Sequence, residues 1–103
     1  MPATGQFSVF ARMRVSPGQR DAVAELIREA AHAGGDDTGL LSYTVNAALD
    51  DPDLLWVTEL WTDKSAHDAT TRSEPVQRVT RAMRALLVGD PEGGYGHVLH
   101  AGA

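Results

Sequence analysis

Cysteine is absent from all 103 residues, which excludes disulfides, thiolate nucleophiles and sulfur-ligated metals. Basic side chains are in short supply. Nine Lys and Arg face fourteen Asp and Glu, and the net charge of −5 repels a phosphate backbone, so nucleic acid is not an expected partner. No long uninterrupted apolar run occurs. Met1–Gln6 is short and polar, and the apolar positions of Phe7–Val15 are broken by Arg12 and Arg14, so no secretory leader and no membrane partner are expected; the reading is cytoplasmic. Gly34-Gly35 and Gly93-Gly94 lack a phosphate-cradling pattern followed by a helix, which leaves no sign of a nucleotide or flavin cofactor. Metal-ligand spacing is missing too. His97 and His100 lie three apart in an expected strand and so face opposite ways, while Asp50, Asp51 and Asp53 lack the ligand rhythm of a calcium loop. What is present is an ordinary globular balance, 43% apolar and 22% charged, at a length that suits one domain over residues 1–103.

Phe7, Val9, Ala11, Met13 and Val15 alternate with Ser8, Phe10, Arg12 and Arg14, the period of a strand. Ser16-Pro17-Gly18-Gln19 then reads as a capping box opening a helix, whose stripe of Ala22, Val23, Leu26, Ile27, Ala30 and Ala31 runs to Gly34-Gly35. Leu40–Ala47 and Leu54–Trp61 are extended runs joined by the turn residues Asp50-Asp51-Pro52-Asp53. Thr62 or Asp63 caps a short helix to about Arg72, and Glu74-Pro75 opens a longer one through Val76, Val79, Met83, Leu86 and Leu87. A last strand is expected from Tyr95 to about His100. The order βαββαβ predicts an α+β, ferredoxin-like domain: a four-stranded antiparallel sheet with helices on one face. In the third strand Leu55, Val57 and Trp61 point one way and Leu54, Trp56 and Leu60 the other, so both faces are apolar. The helices cover only one of them. A second copy of the chain covering the other, in a homodimer joined through sheet faces, is the simplest remedy.

Glu59 and Trp61 are two apart and share a face with Val57. Under the helices Glu59 would be desolvated and able to exchange a proton near neutral pH; at an edge, or bridged to an arginine, it would be structural. His67, six residues after Trp61, is placed to approach the same space, although most helix histidines are half-exposed and structural. Arg72, Arg78, Arg81 and Arg84 read as a solvated basic face from which one side chain can turn inward. Leu41, Tyr43 and Val45 of the second strand, with Val57, are the candidate pocket lining around the catalytic candidates His67, Trp61, Arg81 and Glu59.

Pro17-Gly18, Gly39-Leu40-Leu41-Ser42-Tyr43, Glu59-Leu60-Trp61 and Ser73-Glu74-Pro75-Val76, in this order and spacing, resemble the antibiotic biosynthesis monooxygenase family over roughly residues 7–100. The resemblance implies a dimeric α+β barrel. It also implies a cofactor-independent monooxygenase that oxidises an aromatic or polycyclic phenol, or a hydroquinone, to a quinone with O2 in an apolar pocket. In relatives of that activity a tryptophan matching Trp61 and an arginine matching Arg81 line the pocket, and a tyrosine stands where this chain has His67. By this resemblance His67 or Glu59 deprotonates the phenol, while Arg81 and the Trp61 N–H stabilise negative charge. The chain departs from the pattern at Val57, where those relatives carry asparagine, and at Thr70, where many quinol-oxygenase-like members carry histidine. Thr70 and Thr80 also stand where the haem-degrading branch needs a tryptophan and an iron-binding histidine, which disfavours haem degradation. Two other functions compete: a dimeric binder that sequesters an aromatic metabolite, and a cofactor-free isomerase, which requires inward-facing cations.

Overall fold

The computed structural model describes residues 5–102; Met1–Thr4, part of the segment read as free of a leader, and Ala103 lie outside the described residues. The elements are β1 (Phe7–Arg14), α1 (Arg20–Ala33), β2 (Leu40–Ala47), β3 (Leu54–Trp61), α2 (Lys64–Arg72), α3 (Glu74–Arg84) and β4 (Glu92–His97). The four strands form one antiparallel sheet in the order β2-β3-β1-β4. This is the expected ferredoxin-like α+β arrangement.

Register follows from the alternation. Phe7, Val9, Ala11 and Met13 of β1 stand opposite Trp61, Glu59, Val57 and Leu55 of β3, so these eight share one face. α1 and α3 lie side by side over it, and Val23 and Ile27 of α1 with Met83 of α3 meet Met13, Val15, Leu55 and Val57 in the core. Fully burying one such side chain stabilises by about 1.5–3 kcal/mol. Asp63 caps α2 by accepting from the Ala66 N–H at 2.7 Å, and Pro75 enters the first turn of α3, as expected. The β2–β3 turn is tied to the start of α1 by Arg20, which donates to the Ala48 and Asp51 carbonyls. Gly93 on β4 is required by close approach: a Cβ there would collide with the Phe10 carbonyl of β1.

Four details differ from expectation. Ser16 does not cap α1. Gly18 takes φ +80°, outside the helical region, so Ser16–Gln19 is a turn and the helix begins only at Arg20. β1 ends at Arg14, and Val15 instead bridges Leu87. α3 ends at Arg84, so Leu86 and Leu87 reach the core from the turns that follow. β4 starts earlier than expected, because pairing with β1 admits the glycines Gly93 and Gly94, which carry no hydrophobic signal, and it ends at His97 opposite Phe7, which leaves His100 outside the strand.

The second face of the sheet is mixed in its two middle strands and polar at its edges. Phe10, Leu54, Trp56 and Leu60 alternate there with Ser8, Arg12, Arg14 and Thr58, with Ser42, Thr44 and Asn46 on the β2 side and Glu92, Gly94 and Gly96 on the β4 side. Phe10 is 45% exposed. No helix among the described residues is long and apolar enough to cross a membrane.

Candidate functional site

Between the sheet and the helices lies a cavity of about 120 Å³. Its floor is Val57, Glu59 and Trp61 of β3 with Tyr43 and Leu40 of β2; α1 contributes Ile27, Ala30 and Ala31, and α2 and α3 contribute Thr70, Thr71, Val76, Thr80 and Met83. The wall is mostly hydrocarbon. Within it Glu59 stands out as the one carboxylate, half-buried and held by the Trp61 indole N–H, which donates to its Oε1 at 2.8 Å. Strand period produces this pair, since residues two apart on β3 project side by side. Because Trp61 is only 4% exposed and wedged in the core, the carboxylate it holds has a fixed orientation. Oε2 remains for a ligand.

His67 lies on the other side of Trp61. It is 6% exposed and boxed by aromatic rings: Phe7 at 5.1 Å, Trp61 at 5.2 Å edge-on and Tyr95 at 5.2 Å between ring centroids. Nδ1 lies 2.9 Å from Asp68 Oδ1. With the proton on Nδ1 this contact is a hydrogen bond to a carboxylate, and Nε2 becomes the acceptor. Asp68 also accepts from Lys64, and these two hydrogen bonds, Lys64 first and His67 second, hold its carboxyl below the usual carboxylate range. The ring edge borders a second depression, wider and open to solvent, of about 390 Å³, shared with Tyr95, Gln77, Arg81 and Arg84. Thr71 and Thr80 line both spaces and stand between them.

The four residues expected around one void are therefore divided. Glu59 and Trp61 line the inner cavity, together with Tyr43 and Val57, while His67 and Arg81 border the outer depression. Arg81 does not turn inward: it is paired with Glu74 at 3.0 Å, its side chain 62% exposed. Val45 faces the helices but packs against the core below the cavity. Leu41 is misplaced by the strict alternation assumed for β2. A bulge sets Leu40 opposite Trp61 and Ser42 opposite Leu60, which leaves Leu41 as the extra residue, half exposed and outside the cavity. Gly39 makes room for this kink, with φ +92° and no space for a Cβ, which would sit 2.6 Å from Thr62 Oγ1. No arginine or lysine lines the inner cavity, and Arg78, Arg81 and Arg84 are all exposed, so the isomerase reading loses its cations. Among the described residues no group of three or more His, Asp or Glu is arranged to hold a metal. Sequence reasoning missed Asp68, Thr71 and Thr80; the adjacency of Asp68 to His67 and the i,i+4 step from His67 to Thr71 were the available signals.

Comparison with known proteins bears on this geometry. The profile of the family described as antibiotic biosynthesis monooxygenase matches residues 6–82. A solved structure of a candidate antibiotic biosynthesis monooxygenase from Chloroflexus aurantiacus J-10-fl is 30% identical, with 95% of each chain covered and a TM-score of 0.78. SnoaB from Streptomyces nogalater, a cofactor-independent oxygenase solved as an asparagine-to-alanine mutant, is 16% identical over 95% of this chain and 97% of its own, with a TM-score of 0.82. A conserved protein from Methanosarcina mazei Go1 is 20% identical over 90% and 92%, with a TM-score of 0.79. The last two show likeness of fold. No curated protein matches the sequence.

Proposed function

The chain belongs to the antibiotic biosynthesis monooxygenase family, and from that premise we propose that it is a cofactor-independent monooxygenase that oxidises a phenol or hydroquinone to a quinone with O2. The observation that carries this reading is the Glu59 carboxylate, oriented by Trp61 and presented inside a largely hydrocarbon cavity. With Oε1 anchored by the indole N–H, the carboxylate is held in one place, where its other oxygen can meet the hydroxyl of a ring lying in the cavity.

The chemistry then runs through the substrate's own electrons. Glu59 Oε2 takes the phenol proton, and the phenolate passes one electron to O2, giving a ring radical and superoxide. These combine in a C–O bond at a ring carbon, and the peroxide anion takes back the proton from Glu59. Loss of that carbon's own proton to Glu59 then breaks the O–O bond. One oxygen stays as the quinone carbonyl and the other leaves as hydroxide, which takes the proton back from Glu59 and departs as water, so the phenol loses two hydrogens, gains one oxygen atom and the base is restored. Positioned general base catalysis of this kind contributes a factor on the order of 10²–10⁴. The hydrocarbon wall orients the ring and keeps water from quenching the anion.

In this reading one domain acts in the cytoplasm as a homodimer, with the Phe10, Leu54, Trp56 and Leu60 face covered by a second copy. The test is oxygen uptake by chelator-treated protein offered hydroquinones, simple phenols and anthrone-type phenols. Oxygen consumption with quinone formation is expected for at least one. Ligand binding without oxygen consumption by any of them would make the chain a binder of aromatic metabolites instead.

A further inference from the structure

We infer that Thr71 and Thr80 form a size-limiting wall that restricts the substrate of the inner cavity to a single ring. This rests on the reading of the Glu59–Trp61 cavity as the substrate site. Both residues line the inner cavity and the outer depression at once, Thr71 from α2 and Thr80 from α3, so they are the boundary between the two spaces. Their hydroxyls are committed elsewhere. Thr71 Oγ1 donates to the His67 carbonyl at 3.0 Å, and Thr80 Oγ1 donates to the Val76 carbonyl at 2.8 Å, each within its own helix. Neither hydroxyl is offered across the boundary, and what the pair contributes to the wall is bulk.

That bulk decides the ligand. The inner cavity holds about 120 Å³, whereas an apolar cavity of about 150 Å³ in another protein takes benzene and sites for larger molecules run to roughly 300–1,000 Å³. Being no larger than that benzene site, the inner cavity has room for a single ring at most. The adjoining depression has about 390 Å³ of its own. Removing the wall joins the two spaces and gives a fused-ring phenol room to lie with one end on Glu59 and the other towards His67.

The experiment compares the wild type with Thr71→Ala/Thr80→Ala and Thr71→Val/Thr80→Val. The probes are phenol and 1-naphthol, and binding is followed through the NMR signal of the Trp61 indole N–H, the group on the cavity floor. The wild type and the valine variant, which keeps the wall's shape, are expected to take phenol and to exclude 1-naphthol. The alanine variant is expected to bind 1-naphthol at least about tenfold more tightly than the wild type does. Should the double alanine variant melt early, the two single alanine variants carry the same comparison, each opening half of the wall. An unchanged preference between the probes in the alanine variants overturns the inference, and so does a wild type that takes both probes or neither. Size selection without oxygen uptake leaves the wall standing and removes the oxygenase reading; oxygen uptake with no change in size range does the reverse.

Discussion

Two candidate bases flank the Trp61 indole, and their partners differ in kind. Glu59 is held by a buried neutral donor and faces hydrocarbon, while His67 is held by an ionised Asp68 and borders an open depression beside Arg81 and Arg84. Room for a ligand is the difference that matters. Glu59 lines a mostly apolar space in which a ring can lie, whereas His67 is packed among Phe7, Trp61 and Tyr95 and meets the open depression only at its edge. The proposed reading therefore gives proton abstraction to Glu59 and leaves His67 to pack the aromatic box. Replacing Glu59 by Gln keeps the shape and an acceptor for the Trp61 N–H but removes the base. It should lower kcat by on the order of 10²–10⁴ without shifting the melting temperature. His67→Phe, which preserves the ring contacts with Phe7 and Tyr95, should cost far less; the opposite ranking in oxygen-uptake rates reverses the comparison.

A smaller effect sharpens it. Trp61→Phe keeps an aromatic ring between the two bases but deletes the N–H that fixes Glu59 Oε1. A hydrogen bond to a charged group is worth about 1.5–3 kcal/mol, so kcat should fall roughly ten- to hundredfold. The loss should lie in kcat more than in KM, because the ring that contacts substrate persists. A change confined to KM would mean that Trp61 only shapes the cavity.

The Glu59–Trp61 pair was legible in the sequence because a two-residue step in an alternating strand leaves little freedom about which side chains share a face. The antiparallel sheet and the placement of the helices on one face were legible for the same reason, and Asp63 and Pro75 marked helix starts through local chemistry alone. Leu41 and Arg81 were not legible. The bulge at Leu41 is one residue of extra length that changes no hydrophobic count, yet it turns the side chain out of the cavity. Arg81 lies on a helix whose rotation decides between cavity and solvent, and although Glu74 stands two turns before it on the same face, the period alone does not say that this face looks outward. The division of the site into two spaces by Thr71 and Thr80 depends on how closely α2 and α3 approach, a distance set by tertiary packing.

The His67 side of the comparison has its own signature in acid. Hydrogen bonds from Lys64 and His67 keep the Asp68 carboxyl below its ordinary value in the folded chain. Its contribution to stability is therefore complete above the unfolded carboxylate value of about 3.9 and is lost as pH falls through the lower folded value. Asp51, held down by the Asp53 backbone N–H and then by Arg14, behaves in the same sense at the far end of the sheet. Melting temperatures recorded from pH 7 down to pH 2 should fall less steeply on the acid side for Asp68→Asn than for the wild type. Because Asp68 faces solvent, the difference should be small and should shrink further in salt. Identical acid limbs would mean that the Asp68 contacts do not persist in solution.

The smallest expected effect is at the residue for which family resemblance implied one of the larger roles. Arg81 and Glu74 form a pair in which both side chains are more than half exposed, and such pairs contribute about 0–1 kcal/mol. Nothing joins the guanidinium to the inner cavity, which Thr80 closes on that side. Arg81→Leu should therefore leave kcat within about twofold and the melting temperature nearly unchanged. Steady-state oxygen uptake decides the matter. A drop of tenfold or more would mean that the guanidinium leaves Glu74 and reaches the reacting ring during turnover, which requires the Thr71–Thr80 boundary to open. The division between the two bases would then describe the resting enzyme alone, and charge stabilisation would come from the open side after all.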